Sequence, residues 1–459
     1  MSTLTSAKPR RGTRHDGTAQ GIGTPRGRIV SGPLALVFLS EFCALTSFYL
    51  LLSVTPMYAA AVGAGSTGAG LVTGVLLLGT VAAELAAPIL MRRYGYWALL
   101  LTGALLLGLP ALALLPGASL TVIVTVSVVR GFGFGLCTVM TGALTAALLP
   151  PERRGEGLGL FGVVATAPAV IALPAGVWLA DHVGMATVVG LTAATALVPL
   201  VVFPWLSRGA DRHPAATHAG TGRPDGLLSG LRQAGQLRPF LIFAASTVAA
   251  GVVVSFLPLA AGVSGNVAAA GLLAQALTAT ISRWWAGRRG DKSGHARLLV
   301  PALVIASLGM VTMIWLASPA AVIAGMCLFG IGFGICQNAT FVLMIDRMPP
   351  SGVGTASALW NLAYDAGYGA GPAFFGLVVV HTGYPAAFAL TAVLMLAAVP
   401  LAGRERAMAP ARALAWQRTG AQDAMVSRLR QRRGTGAAAD SRRGPGRSVG
   451  AFFAALNQG

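Results

Sequence analysis

The stretch "GFGICQNATFVLMIDRMPP", Gly332–Pro350, follows the pattern of "GFGLCTVMTGALTAALLPP", Gly133–Pro151, at an offset of 199 residues. The same offset pairs Gly95 with Gly294, Gly131 with Gly330, Cys137 with Cys336 and Pro150/Pro151 with Pro349/Pro350. It also pairs Gly155 with Gly354, His182 with His381 and Gly184 with Gly383. One gap-free register held over that distance makes the chain a duplicated unit, so its fold is built twice. Neither Gly-x-Gly cluster follows a strand pattern, which removes the dinucleotide-loop reading. Small residues at helical spacing instead let helix backbones approach closely.

The repeated unit is apolar. Mean hydropathy is +0.72, 55% of residues are hydrophobic and 10% are charged, against about 25% charged in soluble domains. A spanning helix needs roughly 20 mostly apolar residues. That ruler finds twelve runs: near 33–62, 68–91, 97–115, 119–149, 156–180 and 185–207, then 239–262, 265–287, 298–317, 319–345, 354–380 and 384–402. The predicted class is an all-α integral membrane protein with two six-helix halves, 33–207 and 239–402, joined by a polar linker, 208–238. The run at 33–62 is too long, and lacks the cleavage site, for a signal peptide.

The net charge of +19 sits mostly in two tails. Residues 1–32 contribute +5 and residues 403–459 contribute +8, in sequence rich in Gly, Ala, Ser and Pro. Such segments bury too little apolar area to fold alone and are predicted disordered, in contact with anionic lipid headgroups. No fold for reading bases accompanies the charge, so nucleic-acid binding is not expected. With the amino terminus inside, the tails, the linker and the cytoplasmic loops hold 31 of the 33 Lys and Arg residues. The other two, Arg130 and Arg283, lie within spans, and no external loop holds any. Both termini are therefore predicted cytoplasmic. The scarcity of lysine, Lys8 and Lys292 alone, beside abundant Arg, Ala and Gly suggests a high-GC bacterium and its cytoplasmic membrane. Cys43, Cys137, Cys327 and Cys336 sit in apolar runs without a CxxC pair and read as packing residues.

Two parallel six-helix halves, a cytoplasmic linker and a motif after each half's second helix resemble the major facilitator superfamily over residues 33–402. The second copy, "GRRGDKSGHAR", carries the family's loop residues at Gly287, Asp291, Lys292, Gly294 and Arg297. The first copy, "PILMRRYGYW", keeps Arg93 and Gly95 but places Arg92 where the family has Asp. The resemblance implies a loop that latches one state of a transport cycle, and a substrate site near the midplane between rocking halves. Asp346, at the end of the tenth helix, is a candidate partner of Arg288 or Lys292 in that latch.

Ionisable residues inside a membrane cost at least ~2.5–3.5 kcal/mol on insertion scales and mark functional sites by default. Five fall within spans: Glu41, Glu84, Arg130, Arg283 and Asp365. Asp365 is the leading candidate, because Asn361, Tyr364, Asp365 and Tyr368 share one helical face. Their repeat partners Gly162, Ala165, Thr166 and Ala169 form no such stripe. Arg130 stands where the resemblance implies an arginine that modulates a proton-carrying carboxylate, with Glu41 as the expected partner. Glu84 is placed to face the interface between halves, and Arg283, its repeat counterpart, is close enough to the basic loop to snorkel. Gln337, Asn338 and Thr340 offer hydrogen bonds either to substrate or to a neighbouring helix. His182 and His381 read as loop histidines rather than metal ligands.

No nucleophile–base set or metal cluster appears, so no enzyme and no cofactor is expected; the energy source is a proton gradient. Spans rich in Val, Leu, Ala and Gly favour export of a drug-like or amphipathic small molecule by a monomeric antiporter. The fifth helix resembles the exporters' Gly-Pro motif only weakly, through Pro168 and Pro174. Proton-coupled uptake of a sugar or small organic solute is the alternative, and a transporter-like sensor is the remote one.

Overall fold

The computed structural model describes residues 30–115, 117–149, 154–210, 235–348 and 353–408. Most of both basic tails and of the linker, with Pro150/Pro151 and Pro349/Pro350, lies outside the described residues. Among the described residues the chain is helix and turn, with no strand. In order the helices are α1 Gly32–Leu52, α2 Val54–Ala59, α3 Gly65–Gly108, α4 Leu120–Leu148, α5 Arg154–His182 and α6 Met185–Ala196. There follow α7 Val198–Ala210, α8 Leu237–Phe256, α9 Gly265–Ser293, α10 Ala296–Thr312, α11 Pro319–Ile345 and α12 Val353–Leu396. Serine side chains start four of them: Ser31, Ser119, Ser264 and Ser318 each accept from the backbone N–H three residues on. That satisfies a donor which the first helical turn leaves without an intrahelical partner.

Among the described residues, eight stretches are long and apolar enough to cross a membrane. Two of them, Gly32–Leu114 and Gly354–Met408, exceed one crossing at 83 and 55 residues. They are broken where glycine alone is comfortable. Gly95 bends α3 at φ 78° and Gly383 bends α12 at φ 75°. Their repeat partners Gly294 and Gly184 also have positive φ, as do Gly63 and Gly262, again 199 residues apart. The repeat therefore reaches further back than the sequence pairs required, to the turn after the first helix. Basic α9, with Arg283, Arg288, Arg289 and Lys292, is not among the eight.

The glycines of α4 and α11 do what their duplication predicts. A Cβ on Gly131 would lie 1.8 Å from the carbonyl oxygen of Leu76, and one on Gly330 2.4 Å from that of Gln275. Gly133 meets Gly103 and Gly332 meets Ala302; Gly135 meets Thr80 and Gly334 meets Ala279. Each partner is again offset by 199 residues, so the close backbone contacts are copied along with the glycines.

The broadest contacts between the two halves are α3 with α12 and α5 with α9. The repeat exchanges these two seams. A separate knot closes the second half on itself: Glu405 lies beside Arg238 at 3.6 Å and pairs with Arg347, which also donates to the Gly235 carbonyl. Gln236 Nε2 donates to the Met344 carbonyl at 2.9 Å. Glu405 is 1% exposed and helical, although the charge count assigned it to the tail beginning at 403.

Two outcomes are expected. Gly131→Ala and Gly330→Ala each destabilise the folded protein by about 1–3 kcal/mol, the cost of overpacking. Gly142→Ala, where a Cβ meets nothing within 4 Å, serves as the neutral control; detergent melting curves for all three check this. Glu405→Ala lowers the melting temperature through the second half, by less than the about 3–5 kcal/mol of a fully buried pair, because Arg238 is 32% exposed.

Candidate functional site

The polar stripe on α12 faces the first half. Along it, Tyr368 is 4% exposed, Asp365 6%, Tyr364 is half-buried and Asn361 is exposed. Exposure thus rises toward the helix end that begins at Val353. At the opposite end the halves are stitched together. Thr67 donates to the Gly376 carbonyl at 3.3 Å, the Thr73 and Ser255 hydroxyls lie 3.0 Å apart and those of Ser66 and Tyr384 3.5 Å apart. A Cβ on Gly70 would lie 2.1 Å from the Pro372 carbonyl oxygen, so α3 and α12 touch there backbone to backbone.

Between these ends, the carboxyl groups of Glu84 of α3 and Asp365 of α12 are neighbours across the interface. An ionised carboxylate has acceptors and no proton. Two neighbouring carboxyl groups hydrogen-bond to each other only when one of them holds a proton. Beside the pair, Tyr49 of α1 neighbours Tyr364, the residue preceding Asp365. Tyr364 stacks on Tyr368 with centroids 5.4 Å apart and lies 5.9 Å from Trp360. Phe243 of α8 stacks on Trp360 at 4.4 Å, and Phe341 meets its edge at 5.2 Å. The indole N–H of Trp360 donates to the Thr340 hydroxyl at 3.2 Å. The result is an aromatic wall beside a carboxyl pair, bounded by both halves.

Arg283 does not snorkel. Its guanidinium stands over the Trp360 ring, 6.0 Å from the centroid, with Tyr364 and Tyr49 as its electrostatic neighbours. The expected pairing of Arg130 with Glu41 is also not formed. Arg130 is 2% exposed; its Nε donates to the Leu107 carbonyl at 3.0 Å and its Nη2 to that of Ser47 at 3.1 Å. The reason is local. Residues Leu109–Leu114 form a 3-10 turn, and Pro110 has no N–H to return to the Leu107 carbonyl. Arg130 supplies the missing donor and ties α4 to α1 and α3 within the first half. Glu41 instead accepts from the Thr141 hydroxyl.

Of the other candidates, Asn338 packs against Gly287 within the second half, and Gln337 is 8% exposed. The loop motif is not engaged with the first half among the described residues. Asp291 is exposed beside His295, at 3.8 Å. Gly294 ends α9, Lys292 and Arg297 are exposed, and Arg93 lies over Tyr94, 5.4 Å from its centroid. The expected pair of Asp346 with Arg288 or Lys292 is replaced. Arg288 lies over Trp284 at 3.9 Å, and Asp346 has His295 and Arg347 as its attractive neighbours. Burial pushes the Asp346 carboxyl above its usual range, opposed by those two groups. Burial likewise pushes His295 down, opposed by Asp291 and Asp346. His182 stacks on Trp178 at 4.8 Å. No group of three His, Cys, Asp or Glu residues fit to hold a metal occurs among the described residues.

Sequence reading missed Tyr49, Trp360 and Phe243 and undervalued Arg283. The signal for two of them was present. Trp360, Tyr364 and Tyr368 repeat every four residues on the face of Asp365, and Arg283 is the repeat counterpart of Glu84.

Residues 37–372 match the family described as Major Facilitator Superfamily. Among curated proteins, a multidrug resistance protein MdtG from Klebsiella pneumoniae (strain 342) is 26% identical over 261 residues, which is 55% of this chain and 63% of that protein. The MdtG of Escherichia fergusonii is 24% identical over 379 residues, 79% of this chain and 91% of that protein. Among solved structures, the E. coli xylose transporter XylE in a partially occluded inward open conformation aligns with TM-score 0.63 at 14% identity. That alignment covers 82% of this chain and 98% of the other. A peptide transporter, POT, aligns with TM-score 0.62 at 15% identity, over 82% and 94%. The helices, their bends and these matches place the chain in one family: it is a multi-pass membrane protein that belongs to the major facilitator superfamily of transporters.

Proposed function

We propose that the chain exports a drug-like or amphipathic small molecule in exchange for protons by alternating access. In this reading it crosses the bacterial cytoplasmic membrane twelve times with both termini inside. Breaking the two long apolar stretches at their glycines and adding α9 supports that number. The carrying observation is the Glu84–Asp365 pair. It spans the seam between halves that must open and close, and two carboxyls hydrogen-bond to each other only while a proton is held. Loss of that proton leaves two carboxylates face to face, which weakens this seam and no other described contact.

The stitched end and the graded exposure of the α12 stripe support a site that opens toward the terminus-bearing side. That side is the cytoplasm by the distribution of Lys and Arg. A molecule entering from there meets Trp360, Tyr364 and the carboxyl pair, groups suited to an amphipathic body. The MdtG relatives, named as multidrug resistance proteins, support export. Arg130 and Glu41 serve in this reading as the internal brace of the first half.

Inverted membrane vesicles with an acid interior and a pH-sensitive dye provide the test. A panel of antibiotics, dyes and sugars is added one compound at a time. At least one amphipathic compound is expected to collapse the gradient in wild type. Asp365→Asn and Glu84→Gln each lose at least about tenfold of that rate, equivalent to ~1.4 kcal/mol or more. Wild-type rates in both variants, at equal amounts of inserted protein, would sink the reading. A response to sugars alone would point to the uptake alternative.

A further inference from the structure

Arg283 is the one in-span cation whose position the proposed function does not yet use. Among the described residues no carboxylate lies within salt-bridge distance of it. Its guanidinium stands over the Trp360 ring, with Tyr49 and Tyr364 as electrostatic neighbours. Arg283 is half-buried, and charged side chains withdrawn from water are ordinarily paired. Arg130, the other in-span cation, is held by two backbone carbonyls inside the first half and is not available to anything else.

The repeat explains how Arg283 came to stand there. Glu84 and Arg283 occupy the same position of the two halves, and Asp365 and Thr166 occupy the same position of their partner helices. Glu84 therefore meets an acid across its seam. The Thr166 hydroxyl is turned back to the Gly162 carbonyl of its own helix, so this position of α5 offers Arg283 no anion. Arg283 turns instead toward α12 and rests on an aromatic face.

We propose, on the basis of the exchange reading above, that Arg283 is a tethered occupant of the substrate's aromatic surface. It leaves Trp360 for the Glu84–Asp365 pair when that pair loses its shared proton. Three features carry this. The present hold is weak, because 6.0 Å to the ring centroid is at the outer limit of a cation–π contact. A forked, charge-assisted bond to carboxylate is much stronger. The travel is short: Trp360 to Asp365 is five residues of one helix, about 7.5 Å of rise, within the sweep of an arginine side chain. The way lies past Tyr49, whose side chain interacts electrostatically with both Arg283 and Asp365.

The groups around this path are few. They are Glu41 and Tyr49 from α1, Glu84 from α3, Arg283 from α9, and Tyr364, Asp365 and Tyr368 from α12. The consequence is exchange without direct contact between proton and substrate. With the pair protonated, Arg283 covers Trp360 and keeps an aromatic substrate off. With the pair deprotonated, Arg283 neutralises it and the ring is uncovered.

The test needs no substrate. Purified protein in detergent is titrated between about pH 5 and 9 while tryptophan emission is followed, with Trp360→Phe subtracted to isolate Trp360. A pH-dependent Trp360 signal is expected in wild type and in Arg283→Lys. It is expected to vanish in Arg283→Gln and in Asp365→Asn, each shown to be monodisperse by size exclusion. A signal that persists in Arg283→Gln overturns the proposal, as does a flat wild-type signal. The vesicle assay separates the two readings. Coupled transport that depends on Asp365 beside a flat Trp360 titration removes the Arg283 proposal and leaves exchange standing. Loss of Asp365 dependence in transport removes both.

Discussion

Helices that meet backbone to backbone at glycine are the constraint on which this structure rests. In a membrane the apolar faces of two helices gain little by leaving lipid for one another, so close van der Waals packing has to hold them. Gly131 against Leu76 and Gly330 against Gln275 show how close that packing is, since not even a methyl group fits. The same device closes the far end of the seam between halves, where Gly70 meets the Pro372 carbonyl and Gly376 that of Ser66. Side-chain polarity is then not required for cohesion and can be reserved for the few places that bear charge.

Those places are where the duplication has been abandoned. Glu41 stands opposite Phe240 in the repeat, Glu84 opposite Arg283, Arg130 opposite Phe329 and Asp365 opposite Thr166. No in-span charge is matched by a like charge in the other half, whereas the glycine triplets of α4 and α11 and the bending pairs Gly63/Gly262, Gly95/Gly294 and Gly184/Gly383 are matched. The scaffold is symmetric because packing rules are the same in both halves. Under the proposed exchange the polar groups are asymmetric because one proton-bearing pair needs one acid from each half, and a second copy across the α5–α9 seam would add two more carboxyl groups with no described partner.

How much could be read in advance follows the same division. Apolar runs, glycine register and the bend positions depend on local pattern and on the repeat, and all were legible. Asp365 was legible because its helical face carries Asn361, Tyr364 and Tyr368. The pairing of Arg130 was not. It depends on a carbonyl orphaned by Pro110 on another helix, and nothing in the spacing of charges reveals an orphaned carbonyl. Arg283 was misplaced because a basic loop nearby offered it an obvious outlet, while the ring that holds it lies 77 positions away in the sequence, at Trp360. Glu405 was assigned to the tail because its neighbours are arginines. Two other arginines, Arg238 and Arg347, fold it inward.

Magnitudes explain why a single proton can matter in so large an interface. Neutral hydrogen bonds between membrane helices average about 0.6 kcal/mol, so the three at the far end, involving Thr67, Thr73 and Ser66, are individually weak and indifferent to pH. Moving a two-state protein from 1:99 to 99:1 takes about 5.5 kcal/mol. Breaking a hydrogen bond to a charged group costs about 1.5–3 kcal/mol, and two facing carboxylates in a poorly solvated seam add repulsion of similar order. In the proposed exchange the Glu84–Asp365 contact therefore commands most of the required difference, and no neutral contact described in the seam does. Glycine packing at the far end sets the geometry of the closed seam, and in that proposal the carboxyl pair decides how often the seam is closed.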